Sequence, residues 1–112
     1  DNVKYDVKAH KKVNRELSYE YTWVEYETYS HPGWLFGEAD KIAFEFCDSF
    51  IITDRERLLN HMESNITDRE IYSVAMPYKF TERRRKKDKT RDLIVLTPME
   101  DIVKIAERII QK

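Results

Sequence analysis

The sequence predicts an α/β fold on the border with α+β: a mixed β-sheet with helices packed on it. Several short runs alternate polar and apolar residues with a period of 2, as half-buried strands do. Two Thr-x-x-Glu spacings, Thr53 to Glu56 and Thr97 to Glu100, each open an apolar stripe at helical spacing. No internal repeat or low-complexity segment interrupts the order, so a layered sheet-and-helix arrangement is the economical architecture for one domain spanning 1–112.

The first strand is read from Val3, Tyr5, Val7 and Ala9 on one face and Lys4, Asp6, Lys8 and His10 on the other, with the apolar face expected to be buried. A polar connection, Lys11 to Ser18, leads to a second strand from Tyr19 to Thr28, where Tyr21, Trp23 and Glu25 share one parity and Thr22, Val24 and Tyr26 the other. His31-Pro32-Gly33 turns the chain into a third strand, Ala39 to Cys47, with Ile42, Phe44 and Phe46 on one face. Phe50-Ile51-Ile52 is a short buried strand, hairpinned to the third through Asp48-Ser49. Thr53 with Glu56 predicts a helix running to about Glu63, with Leu58, Leu59 and Met62 as its apolar stripe. After a turn at Thr67 to Glu70, Ile71 to Met76 reads as a strand, and Leu93 to Leu96 as another beyond a basic loop. Thr97, Pro98 and Glu100 predict the start of a last helix whose stripe is Met99, Ile102, Val103, Ala106, Ile109 and Ile110.

Composition narrows the function classes. One cysteine, Cys47, excludes an intrachain disulfide and a multi-thiolate zinc cluster, and reads as a small buried hydrophobe. No apolar run approaches the roughly 20 residues that span a bilayer and no signal peptide is visible, so a soluble, intracellular, cytoplasmic protein without a membrane partner is expected. The chain enters a strand almost at once without an initiator methionine, which suggests a missing N-terminal part. Net charge is −1, yet the stretch from Lys79 to Arg91 holds eight basic residues against Glu82 and Asp88, a local +6 on a body of −7. A loop at about 81–91 with Arg83, Arg84, Arg85, Lys86, Lys87 and Lys89 is a candidate for tracking phosphates, against the plainer reading of a solvated hairpin tip.

The chemistry centres on Asp6-Val7-Lys8. On a strand these two side chains share a face about 7 Å apart, close enough to address one bound water or ion. A carboxylate that holds Mg²⁺ beside an ammonium that orients water or neutralises developing charge suits phosphodiester hydrolysis, whereas a solvated strand face is the bland alternative. Trp23, Trp34, Tyr21 and Tyr29 would stack on bases or, more simply, fill the core, with Gly33, Gly37 and Ala39 fitting backbone around Trp34. Asp40 is expected to cap a turn or to hold the loop by hydrogen bonds to backbone amides.

Asp6-Val7-Lys8, Thr22-Trp23-Val24-Glu25 and the run Gly33-Trp34-Leu35-Phe36-Gly37-Glu38-Ala39-Asp40-Lys41-Ile42-Ala43-Phe44-Glu45 occur in that order. With Tyr78, Arg83, Arg84, Arg85 and Arg91-Asp92 further on, the succession resembles nuclease-like proteins of phages and large DNA viruses and, at wider range, the PD-(D/E)XK nucleases. The resemblance implies a restriction-endonuclease-like core, with Asp6 and Lys8 at the second acid and lysine positions. The first acid is not supplied cleanly: Asp1 is the one acid upstream and its parity opposes Asp6. Three readings stay open, namely a ligand in a preceding segment, a displaced Asp1, or lost catalysis. Glu25 is the candidate second carboxylate if its strand pairs with the first, or else an ion-pair partner for Lys8 or Lys4.

The expected function is therefore a Mg²⁺- or Mn²⁺-dependent DNA endonuclease acting on branched or replicating DNA. Asp6, Lys8 and Glu25 would be catalytic, Asp6 and Glu25 would hold the metal, and Lys4, His10 and the basic loop would contact DNA, with a homodimer as the assembly. A non-catalytic nucleic-acid-binding module and a subunit of a viral assembly are the alternatives.

Overall fold

A computed structural model describes residues 2–9, 12–13, 16–17, 19–28, 32–84 and 90–112. Among these residues the fold is α+β, with mixed sheets and two helices. A four-stranded sheet has the order β1 (Tyr5–Lys8), β5 (Lys41–Glu45), β6 (Ser49–Asp54), β9 (Arg108–Gln111). A three-stranded sheet has the order β4 (Tyr21–Glu27), β8 (Arg91–Pro98), β7 (Phe80–Arg84), and β2 (Lys12–Val13) pairs with β3 (Glu16–Leu17) as a small ribbon. The strands thus divide among three sheets instead of joining one. The four-stranded sheet is mixed, because β1 runs parallel to β5 while the other pairings are antiparallel.

Inward side chains of the two larger sheets, Ile42, Phe44 and Ile51 from one and Val24, Tyr26, Phe80 and Val95 from the other, form one core. Helix α1 (Arg55–Asn65) closes it with Leu58 and Met62, and α2 (Met99–Ile105) with Met99 and Ile102. Leu58 and Met62 are four apart, one turn on the same face, so both reach complete burial.

Several expectations shift for identifiable reasons. Asp54, not Thr53, caps α1: its carboxylate accepts from the Arg57 amide at 3.1 Å, and Thr53 is buried in β6. Thr97 and Pro98 belong to β8 and no side chain caps α2, the Thr97 hydroxyl donating instead to the Val95 carbonyl. The last helix ends at Ile105, and Ile109 and Ile110 lie in β9, where the edge of β6 offers a ladder. No strand forms over 71–76; Asp68 accepts from the Glu70 amide and the Tyr72 hydroxyl, which turns the chain, and only isolated bridges at Ile71 and Pro77 touch the sheet. Cys47 is exposed just past the end of β5 rather than buried.

The largest correction concerns β1. Its period is 2 as read, but the faces are reversed: Tyr5 and Val7 are exposed while Asp6 and Lys8 are half-buried. Register explains it. Asp6 pairs with Ile42 and Lys8 with Phe44, both core residues, and paired residues share a face, so the polar pair turns toward the gap between the sheets.

Away from that gap, Tyr78 adopts a left-handed backbone (φ 61°), and its hydroxyl joins α1 to α2 by donating to Asp101 at 2.7 Å. That hydroxyl has one proton, so His61 Nε2, also at 2.7 Å, must donate to its oxygen. Burial lowers the His61 pKa from its ordinary value and outweighs the opposing pull of Asp101. The folded state then resists protonation more than the unfolded chain does. Stability is full above the unfolded value near 6.5 and falls as pH drops through it. Urea midpoints of the wild type should therefore decline between pH 7 and 5.5, with a shallower slope in His61→Gln; equal slopes would contradict this.

No helix among the described residues is long and apolar enough to cross a membrane.

Candidate active site

Residues from four strands, β1, β4, β7 and β8, and one loop converge at the gap. The loop begins where Gly33 packs so closely on β4 that a Cβ there would lie 2.2 Å from the Glu25 carbonyl oxygen. This contact sets Trp34, in a 3₁₀ turn over Trp34–Phe36, beside the Glu25 strand. Arg55 of α1 then ties down the loop by donating to the carbonyls of Ala39 at 2.7 Å and Leu35 at 3.1 Å. Asp40 joins loop to β1 as expected, its carboxylate accepting from the Lys4 amide at 2.9 Å.

On this support Lys8 is held twice. Its Nζ lies 3.2 Å from Asp6 Oδ2 and 5.0 Å from the centre of a Trp34 ring. The carboxylate and the indole face both favour the ammonium charge, so the head group is fixed despite its flexible stem. Trp34 in turn packs edge-on against Phe44 of the core, at 6.0 Å between centroids.

Glu25 reaches the same place from the opposite sheet. Its strand pairs with β8 and not with β1, so the conditional route by strand pairing is wrong; the approach is made across the gap. A register shift in the β4–β8 ladder between Glu25 and Glu27 marks a bulge beside it. Lys8, Glu25, Thr22, Trp23, Trp34, Arg83 and Ile94 line one pocket of about 100 Å³. That is well below the roughly 300–1,000 Å³ that encloses a drug-sized ligand, so it suits a phosphate-sized group.

The ion-pair partner of Glu25 is neither Lys8 nor Lys4 but Arg83, whose Nη2 is 3.3 Å from Glu25 Oε2. The same nitrogen is 2.8 Å from Oδ2 of Asp92, a side chain with no solvent exposure. Sequence reasoning missed the Arg83–Asp92 pair. Its one signal is an acid at the head of the apolar run Leu93 to Leu96, a buried place that a carboxylate occupies only with partners.

Of the other predicted phosphate ligands, Lys4 serves the site through its backbone. Arg84 is exposed and without an ion pair among the described residues, whereas Lys79 and Arg91 are paired with Asp68 and Glu82. Asp1, His10, Tyr29, His31, Arg85, Lys86, Lys87 and Lys89 lie outside the described residues. Two larger hollows, of about 520 Å³ beside Tyr26 and Phe36 and about 420 Å³ beside Tyr19 and Met99, bring no lysine or arginine to a carboxylate among the described residues.

Among the described residues no group of three or more His, Cys, Asp or Glu could hold a metal. A hard dication that keeps most of its waters needs only one or two carboxylates beside substrate phosphate, and two partly exposed ones stand next to Lys8 in different ways: Asp6 pairs with its ammonium, and Glu25 lines the pocket that Lys8 also lines. No family model, curated protein or solved structure matches the chain.

Proposed function

We propose that the chain is a Mg²⁺- or Mn²⁺-dependent DNA endonuclease of the PD-(D/E)XK type. The observation that carries this reading is that Lys8, fixed by Asp6 and Trp34, shares a phosphate-sized pocket with Glu25 and Arg83. Asp6 and Glu25 would hold the ion, which supplies a polarised water and charge neutralisation at the phosphoryl oxygens. Lys8 orients the attacking water and stabilises negative charge on the phosphate, in a place where indole and protein exclude part of the solvent. The basic stretch that β7 and β8 flank tracks the backbone without reading sequence, so binding falls steeply with salt.

A second reading, a nucleic-acid-binding module without catalysis, is favoured by one observation: Asp6 and Glu25 each already carry an ion-pair partner, Lys8 and Arg83. One assay separates the two. Supercoiled and branched DNA are incubated with the protein in Mg²⁺, Mn²⁺ or EDTA. The nuclease reading expects metal-dependent nicking that EDTA abolishes. Salt-sensitive binding without nicking under either metal would leave the binding module.

A further inference from the structure

Resting on that reading, we propose that Arg83 is the phosphate clamp of the pocket and that Glu25 holds it in reserve until a divalent cation takes the Glu25 carboxylate. The guanidinium has two unequal attachments. Its Nε and Nη2 both reach Asp92 Oδ2, at 3.3 and 2.8 Å, and Asp92 is fully buried. The contact to Glu25, at 3.3 Å, is the longer of the two made by Nη2, beyond the 2.7–2.9 Å of a strong charge-assisted bond. Asp92 therefore anchors the group, and Glu25 merely occupies it.

The rest of the guanidinium is available. Nη1 has no partner among the described residues, and the Arg83 side chain is 45% exposed although its anchor is not exposed at all. Arg83 lines the pocket together with Lys8 and Thr22, so a phosphate there would meet an ammonium, a guanidinium fork and a hydroxyl. Arg84, one step along the strand, faces the other side and has no such anchor. Among the described residues Glu25 is the one carboxylate lining this pocket, and it is the anion that a phosphate must displace from Arg83. A cation bound to Glu25 removes that competition. Phosphate and dication then favour each other's binding, and by linkage the effect is reciprocal.

The test uses fluorescein-labelled duplex DNA and the full chain, with anisotropy read in EDTA and in Ca²⁺. In EDTA, Glu25→Gln should bind DNA up to about fivefold more tightly than wild type, the range set by a partly exposed ion pair. Ca²⁺ should raise wild-type affinity by a similar factor and leave Glu25→Gln unchanged. Arg83→Lys keeps a cation for Asp92 but loses the fork, and in that background the gain from Glu25→Gln should vanish. Glu82→Gln, which removes an acid paired with Arg91 on the same sheet, controls for general charge and should give a smaller gain. The proposal is overturned if Glu25→Gln binds no more tightly than wild type in EDTA, if Glu82→Gln matches its gain, or if Ca²⁺ fails to move wild type. Each of these results leaves metal-dependent nicking as a separate observation, so the nuclease reading stands or falls on its own assay.

Discussion

Replacing Gly33 by alanine is expected to cost about 3 kcal/mol or more, a large part of the 5–15 kcal/mol typical of a small domain. The new methyl would lie 2.2 Å from the Glu25 carbonyl oxygen, 2.5 Å from its carbon and 2.8 Å from the Tyr26 carbonyl carbon. All three are backbone atoms of β4, which is hydrogen-bonded along its length to β8, and none can swing aside as a side-chain tip would. The Gly33 dihedrals, φ −69° and ψ 174°, suit any residue, so the penalty is steric and not conformational. Relief requires the loop and β4 to separate, which moves Trp34 from Lys8 and Glu25 from the pocket. Urea unfolding should show the loss of stability, and whatever folded protein remains should have lost more nicking than stability accounts for. Gly37→Ala is the comparison: its Cβ would meet the Trp34 carbonyl oxygen at 3.2 Å, a contact that a small adjustment relieves. Equal stability of the two variants would contradict the packing described.

Lys8→Ala is expected to lower the rate of metal-dependent nicking by about 10²–10³-fold, the usual loss when one aimed electrostatic stabiliser is removed. DNA affinity should change little, because under the proposed function the basic stretch would supply most of the phosphate contacts. Asp6→Ala should behave alike, since it removes the proposed metal ligand and the carboxylate that fixes Lys8. Lys8→Arg should not rescue: a planar guanidinium over Trp34 places its charge differently from a compact ammonium. Supercoiled-plasmid nicking gives the rates and anisotropy gives the binding. Parallel loss of both would mean that Lys8 acts only as a surface cation.

How far the sequence reveals this site depends on which residues decide each feature. The common face of Asp6 and Lys8 follows from strand periodicity alone, and so does the parity that separates Glu25 from buried Val24 and Tyr26. Which face of β1 turns inward does not, because it depends on the parallel register with Ile42 and Phe44, some 36 residues away. The same limit explains the last helix. Ile109 and Ile110 continue the stripe of α2, and only the open edge of β6 draws them into β9. Asp40 is readable because its carboxylate accepts from a backbone amide, a general habit of aspartate in loops. The Arg83–Glu25 contact joins residues 58 apart with no local pattern to announce it.

The proposed function requires that Asp6, Lys8 and Glu25 form one ion-binding, phosphate-accepting site. Anomalous scattering from crystals soaked in Mn²⁺ tests it most directly. The account predicts a peak bonded to carboxylate oxygens of Asp6 and Glu25, beside the Lys8 ammonium, with Arg83 released from Glu25 and still held by Asp92. A Mn²⁺ ion bound elsewhere, or no ion at these carboxylates at saturating metal, would contradict it.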